Sequence, residues 1–200
     1  PGFISNSSVS GGGSLKSAET MTVFALTTAD AVAVGRRMGG YDASYEFSKP
    51  EADTVDLAIG ALPARFRFGV PGGSALRFFG DDEAAKLFDA AIARLEAMGG
   101  TRVEVDFTPF EETQKLLYGG PFIAERAIAM DAIVAKYRDV IHPVTLQILE
   151  TSSDYSAKDV FAAMHRIAAL KRDTRATWAD IDVLLVPTTP TIYRKAEIIA

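Results

Sequence analysis

The stretch that most limits what this chain can become runs from Arg65 to Phe107. It opens with Arg65-Phe66-Arg67-Phe68-Gly69-Val70 and closes with Arg102-Val103-Glu104-Val105-Asp106-Phe107, two runs rich in β-branched and aromatic residues that read as strands. Between them Ala84, Phe88, Ala91, Ile92 and Leu95 recur at helical spacing and define a helix with one apolar face. Asp81-Asp82-Glu83 places negative charge at the positive end of that helix, and Gly99-Gly100 stops it. Strand, long helix, strand in this order predicts a parallel βαβ crossover, because parallel neighbours cannot be joined by a tight turn. An α/β fold follows.

The flanking sequence adds elements to that unit. Residues 21–26, Met-Thr-Val-Phe-Ala-Leu, alternate and read as a strand, and Thr27-Thr28-Ala29-Asp30 caps a helix running from about 29 to 38 and ending at Gly39-Gly40. Residues from about 41 to 60 are polar around Pro50 and read as a surface loop. From Pro109 to Trp178 the pattern is helical, over 110–118, 122–137, a short piece around 144–149, and a long helix from Ala157. Val160, Phe161, Met164, Ile167 and Ala168 are the expected buried stripe of that long helix. Asp182-Val183-Leu184-Leu185-Val186 is apolar on both faces, as a central strand would be.

Composition narrows the function classes. A content of 48% hydrophobic residues over 200 positions, with twelve Phe and Trp178, suffices for a sizeable core. The net charge of −5, with both signs interleaved, offers no basic stripe to a nucleic-acid backbone. The absence of cysteine removes disulfides, thiolate nucleophiles and thiolate metal sites, and fits a reducing compartment, with the cytoplasm as the expected location. No apolar run approaches the roughly 20 residues of a spanning helix, so no membrane partner is expected. A chain that opens on Pro1 and closes on Ile198-Ile199-Ala200 is expected to be cut from a longer protein, so residues 1–200 read as a single partial domain.

The segment Ser10-Gly11-Gly12-Gly13-Ser14-Leu15-Lys16-Ser17 raises the question of phosphate binding or serine–lysine chemistry. A phosphate loop needs glycine immediately before its lysine, and Leu15 stands there; a dinucleotide fingerprint fails because Lys16 occupies the place of its last glycine. Ser14 and Lys16 offer a hydroxyl and a base on one extended face, and the same composition also makes a plain solvated loop. His142 and His165 lack partners at metal-binding spacing; His142 reads as a loop residue and His165 as the edge of a helix face. Glu111-Glu112 and Asp81-Asp82-Glu83 read as solvated helix starts, since adjacent helical residues do not face each other.

Several stretches together resemble one family. Glu19 to Ala31, "ETMTVFALTTADA", followed by "GGYDASYEFSKP", then "FRFGVP", "LLYGGPFIAER" and "DVLLVPTTPTIYRKAEI", resemble the amidase-signature family, and within it the amidase domain of allophanate hydrolase. The likeness spans nearly the whole chain. It implies the second half of a mixed sheet flanked by helices, and serine attack on an amide carbonyl without metal or cofactor. It also implies allophanate as the small-molecule substrate, a functional link to urea carboxylase, the other half of the amidase domain as partner, and a homo-oligomer among the possible assemblies. The family's lysine, its serine in a cis peptide and its nucleophilic serine have no counterparts here; in the family they lie before the point where Pro1 begins.

"SLKSAET" resembles the end of the family's "V-P-A-C-[KR]-S-[LI]-[DE]" segment, with Lys16 at the basic position and Glu19 at the acidic one. Gly11-Gly12-Gly13 and Leu15 depart from it. The resemblance implies that Lys16 meets the substrate carboxylate, with Ser17 beside it as a hydroxyl donor. A non-catalytic α/β ligand-binding or interaction domain is the alternative, with the carboxyl ends of the strands as its site.

Overall fold

The computed structural model describes residues 3–5, 15, 17–18, 20–61 and 63–199. In chain order its elements are α1 (Thr28–Met38), β1 (Phe66–Pro71), α2 (Asp82–Ala97), β2 (Gly100–Val105), α3 (Thr108–Gly119), α4 (Ile123–Tyr137), α5 (Pro143–Glu150), α6 (Ala157–Asp180), β3 (Val183–Leu184) and α7 (Lys195–Ile199). The chain divides into two compact units, one of residues 1–61 and 116–163, the other of residues 62–115 and 164–200. Among the described residues no helix is long and apolar enough to cross a membrane.

The unit of residues 62–115 and 164–200 is built on the expected crossover. β1 pairs in parallel with β2, from Phe66 opposite Gly100 to Pro71 opposite Val105. It also pairs in parallel with β3, which places it in the middle of a sheet ordered β2-β1-β3. All of β1 except Arg67 is buried, and Phe68 and Val70 are 0% exposed. With Phe66, and with Phe88 and Ile92 of α2, they form the core, against which Leu76, Phe78, Leu95 and Leu185 pack. Gly69 is required by this packing: a β-carbon there would lie 2.7 Å from Ile181 Cδ1 and 3.0 Å from Val105 Cγ1.

The ends of α2 form for local reasons. The Asp81 carboxylate accepts the Ala84 N–H at 2.9 Å as the N-cap. That bond, followed by one from the Thr191 hydroxyl, holds the Asp81 carboxyl below its usual range. At the other end Gly99 takes φ 96°, where a β-carbon would also collide with the Ala64 carbonyl oxygen.

β3 differs from expectation. It spans two residues and lies at an edge of the described sheet, with Val183 exposed, so β1 and not β3 is the central strand. The Arg67 backbone N–H donates to the Asp182 carboxylate at 2.7 Å, the Asp182 N–H returns to the Arg67 carbonyl at 2.9 Å, and the guanidinium closes a 3.4 Å ion pair. Backbone donation from Arg67, then its side chain, holds the Asp182 carboxyl below the ordinary carboxylate range.

The unit of residues 1–61 and 116–163 is helical. The Thr27 hydroxyl accepts the Asp30 N–H at 3.1 Å to cap α1, and Gly39-Gly40 ends it, with Gly40 at φ 136°. Residues 41–60 hold one short 3-10 turn at Pro50–Thr54, and Tyr45 and Ala52 within them are buried. Residues 21–26 form no strand; Phe24 is 94% and Leu26 102% exposed, because no neighbouring strand among the described residues supplies a hydrogen-bonding ladder.

α6 begins where its pattern predicts, but its stripe is rotated. Ala163 and Leu170 are buried with Val160 and Ile167 half-buried, while Phe161 is 60% exposed and Met164 is also exposed. This helix carries apolar residues on more than one face, so spacing alone does not choose the face that packs.

These burials separate two phenylalanines of equal size. Phe68→Ala should destabilise the protein by about 3–5 kcal/mol, as core aromatic truncation does, whereas Phe24→Ala should stay within about 0.5 kcal/mol. Urea unfolding midpoints measure both, and similar shifts for the two would contradict the assignment of the core.

Candidate functional site

The sequence directs attention to the loop before α1. Leu15 is 4% exposed, and the Ala18 N–H donates to the Leu15 carbonyl at 3.0 Å, closing a turn over these positions. Ser17 makes two bonds to one carboxylate: its backbone N–H reaches Glu125 Oε1 at 2.8 Å and its hydroxyl reaches Glu125 Oε2 at 2.5 Å. Glu125 lies in the first turn of α4, where the helix dipole stabilises an anion. Since the hydroxyl proton of Ser17 goes to Glu125, the oxygen lone pairs are what it presents to other groups. Lys16, the second residue singled out by the sequence, lies outside the described residues, as does Ser14.

A second place lies where the alternative reading looked, at the carboxyl ends of the strands. In the sheet-bearing unit a groove of about 580 Å³ opens beyond the carboxyl ends of β1 and β2, lined by Gly72, Ser74, Arg77, Glu104, Asp106 and Lys115 among others. Carboxyl ends of parallel strands are where α/β sheets usually hold ligands. The Gly72 N–H donates to the Val105 carbonyl at 3.0 Å, which extends the ladder by one bond before the strands part. Arg77 pairs with Glu111 at 3.3 Å across the groove's lining. Asp106 is held below its usual pKa by the Thr108 hydroxyl and then by the Thr108 N–H, which reaches Asp106 Oδ1 at 2.9 Å. The lining thus mixes Arg77 and Lys115 with Glu104, Asp106 and Glu111 and carries no single sign of charge.

Local contacts account for two of the other residues that the sequence raised. His142 caps α5, its Nδ1 accepting the Val144 N–H at 3.3 Å, and His165 is exposed on α6. Glu112 receives Arg166 in a bidentate pair, Nε and Nη2 each at 2.5 Å, so this helix-start carboxylate is paired as well as solvated. Hydrogen bonding from Arg166 leads the causes that lower the Glu112 pKa. No group of three or more His, Asp and Glu suited to a metal ion occurs among the described residues.

Sequence reasoning missed Glu125. Its place at the start of a helix was legible, but its partner Ser17 is 108 residues away.

A parallel sheet with α2 packed on it and β1 buried at its centre defines an α/β fold. The Amidase family model matches residues 2–197, and the chain belongs to that family. It is similar to the urea amidolyase of Saccharomyces cerevisiae, 28% identical over 178 residues, which are 88% of this chain and 9% of that protein. Among solved structures, the urea amidolyase of K. lactis matches with a TM-score of 0.83 at 28% identity, over 92% of this chain and 11% of that one. A variant of Kluyveromyces lactis allophanate hydrolase matches with a TM-score of 0.82 at 27% identity, over 93% of this chain and 30% of that one. The chain therefore spans about a tenth of the urea amidolyases and under a third of the allophanate hydrolase.

The lowered pKa of Asp106 gives a pH dependence with a definite sign. A carboxylate whose folded pKa lies below its ordinary value contributes stability that is present above that value and is lost as pH falls through the folded pKa. Asp106→Asn should therefore remove part of the acid limb of stability below about pH 4, so that urea midpoints fall less between neutral and acid pH than in the parent. An acid limb identical in variant and parent would remove Asp106 from the groups that sense pH.

Proposed function

We propose that this chain is a segment of an amidase-signature C–N hydrolase that cleaves allophanate to ammonia and carbon dioxide in the cytoplasm, in step with a urea carboxylase. The observation that carries this reading is the backbone match to allophanate hydrolase over 93% of the chain at a TM-score of 0.82. In this reading residues 1–200 are the second half of one amidase domain. The other half supplies the lysine and the two serines.

The chemistry divides accordingly. Attack on an amide carbonyl needs a nucleophile, a base and donors for the oxyanion, and the family motifs that provide them have no counterparts in these 200 residues. What this segment supplies is selection. Allophanate carries a carboxylate, and a fixed cation near that end favours it over neutral amides. Lys16 is that cation in this reading, with Ser17 beside it; the two hydrogen bonds from Ser17 to Glu125 support it by fixing Ser17 itself.

Two measurements test the proposal. The 200-residue chain alone should hydrolyse neither allophanate nor simple amides, and turnover above an inactive control would overturn the division of labour. In the intact enzyme Lys16→Met should lower kcat/KM for allophanate by about 1.5–3 kcal/mol, the range for hydrogen bonds to charged groups, with a smaller fall for a neutral amide. Unchanged allophanate kinetics, or equal damage to both substrates, would return Lys16 to the status of a solvated loop residue.

A further inference from the structure

We propose that residues 186–198 form a strap over the start of α2, hinged at Leu185 and latched by the Asp81 carboxylate, which opens without unfolding the sheet. The backbone bonds that hold β3 end at the hinge, where the Leu185 N–H donates to the Gly69 carbonyl at 2.9 Å. Beyond it, among the described residues, one hydrogen bond joins the segment to the rest of its unit: the Thr191 hydroxyl donates to Asp81 Oδ2 at 2.9 Å. The segment's other bonds are internal, such as those from the Thr189 hydroxyl to the Thr191 carbonyl at 2.9 Å and from the Arg194 N–H to Glu197 at 2.6 Å. Only Pro187 and Thr191 are half-buried in this stretch, and Ile192 is 83% exposed. A segment with so few buried contacts opens far more readily than the whole protein unfolds.

The latch itself is fixed by the fold. Asp81 Oδ1 accepts the Ala84 N–H as the N-cap of α2, which leaves Oδ2 for Thr191. The turn before it is an unfavourable one: the Asp81 N–H donates to the Phe78 carbonyl at 2.9 Å, with Phe79 at φ 51° and Gly80 at φ 86°. A phenylalanine in the left-handed region persists where its neighbours fix the backbone. Here Phe78 is fixed by packing on the core, and Asp81 by its two bonds. Between α2 and the strap lies a cavity of about 320 Å³, lined by Ala84 and Leu87 on one side and by Thr189, Thr191 and Ile192 on the other. The three strands are parallel, so the strap leaves the sheet at the same edge as the groove beyond β1 and β2. Opening the strap reshapes the edge of the sheet at which α/β folds hold ligands.

The test uses the absence of cysteine from the chain. Ala84→Cys puts a single thiol on the helix side of the cavity, at a half-buried position, and its alkylation by fluorescein maleimide reads the opening of the strap. Thr191→Val, which keeps the shape of the side chain and removes the donor, should speed alkylation about tenfold, the size expected on losing a hydrogen bond to a charged group. Asp81→Ser, which keeps an oxygen to cap α2 and lacks the second one, should do the same. The two together should be no faster than either, because they remove one bond. The urea midpoint of Thr191→Val should equal that of its Ala84→Cys parent. Alkylation unchanged in both variants overturns the latch. Faster alkylation with a matching fall in the urea midpoint makes the opening global and overturns the strap. A parent thiol that reacts as fast as free cysteine overturns it as well, since nothing then covers the helix.

Discussion

Everything in the sheet-bearing unit depends on β1 being buried on both faces and hydrogen-bonded along both edges. Phe68 and Val70 are sealed from water, and the strand's partners on either side are both parallel. A strand in that position tolerates neither bulk nor polarity, which is why its middle is Gly69, with Ile181 and Val105 filling the space a β-carbon would take. Its one exposed residue, Arg67, is the one that reaches out. Its backbone and guanidinium both engage Asp182, so the residue that faces water on β1 also fixes where β3 begins. The groove follows from the same arrangement, because it opens where β1 and β2 stop pairing, past the bond from Gly72 to Val105.

This dependence decides what could be read from the sequence. β1, α2 and β2 were legible because their signals are local: alternating or continuous apolar runs, an aspartate cap, and Gly99 at the positive φ that ends α2. The short β3 at an edge was read as central because an apolar run shows that a segment suits a sheet's interior and says nothing of how many partners it finds. Residues 21–26 fail for the converse reason. Their alternation is that of a strand, yet a strand exists only against a neighbour, and Phe24 and Leu26 face solvent. The rotated stripe of α6 belongs with these, since Phe161 and Met164 obey helical spacing as well as Ala163 and Leu170 do.

The candidate site was legible in part. Ser17 was singled out by resemblance to a family segment, and the structure adds its pairing with Glu125, which arises through the fold and leaves no mark in either local sequence. The groove was legible as a place, the carboxyl ends of the strands, but its lining was not, for a similar reason. Gly72, Glu104 and Lys115 are unremarkable singly and become neighbours only when two parallel strands end together.

Energetically, the interactions that hold the fold and those that shape the site are of different kinds. The core is apolar area removed from water, its stabilisation roughly proportional to what Phe66, Phe68, Val70, Phe88 and Ile92 bury, and salt does not screen it as it screens charge pairs. The pairs Arg67–Asp182, Arg77–Glu111 and Arg166–Glu112 all keep substantial solvent exposure, so screening leaves them little share in global stability. The bond pair from Ser17 to Glu125 belongs to the second group. Exposed charge-assisted bonds of this kind hold one residue in place while adding little to the free energy of folding. The core positions have no latitude, because at β1 even one methyl group at residue 69 would need its neighbours to move.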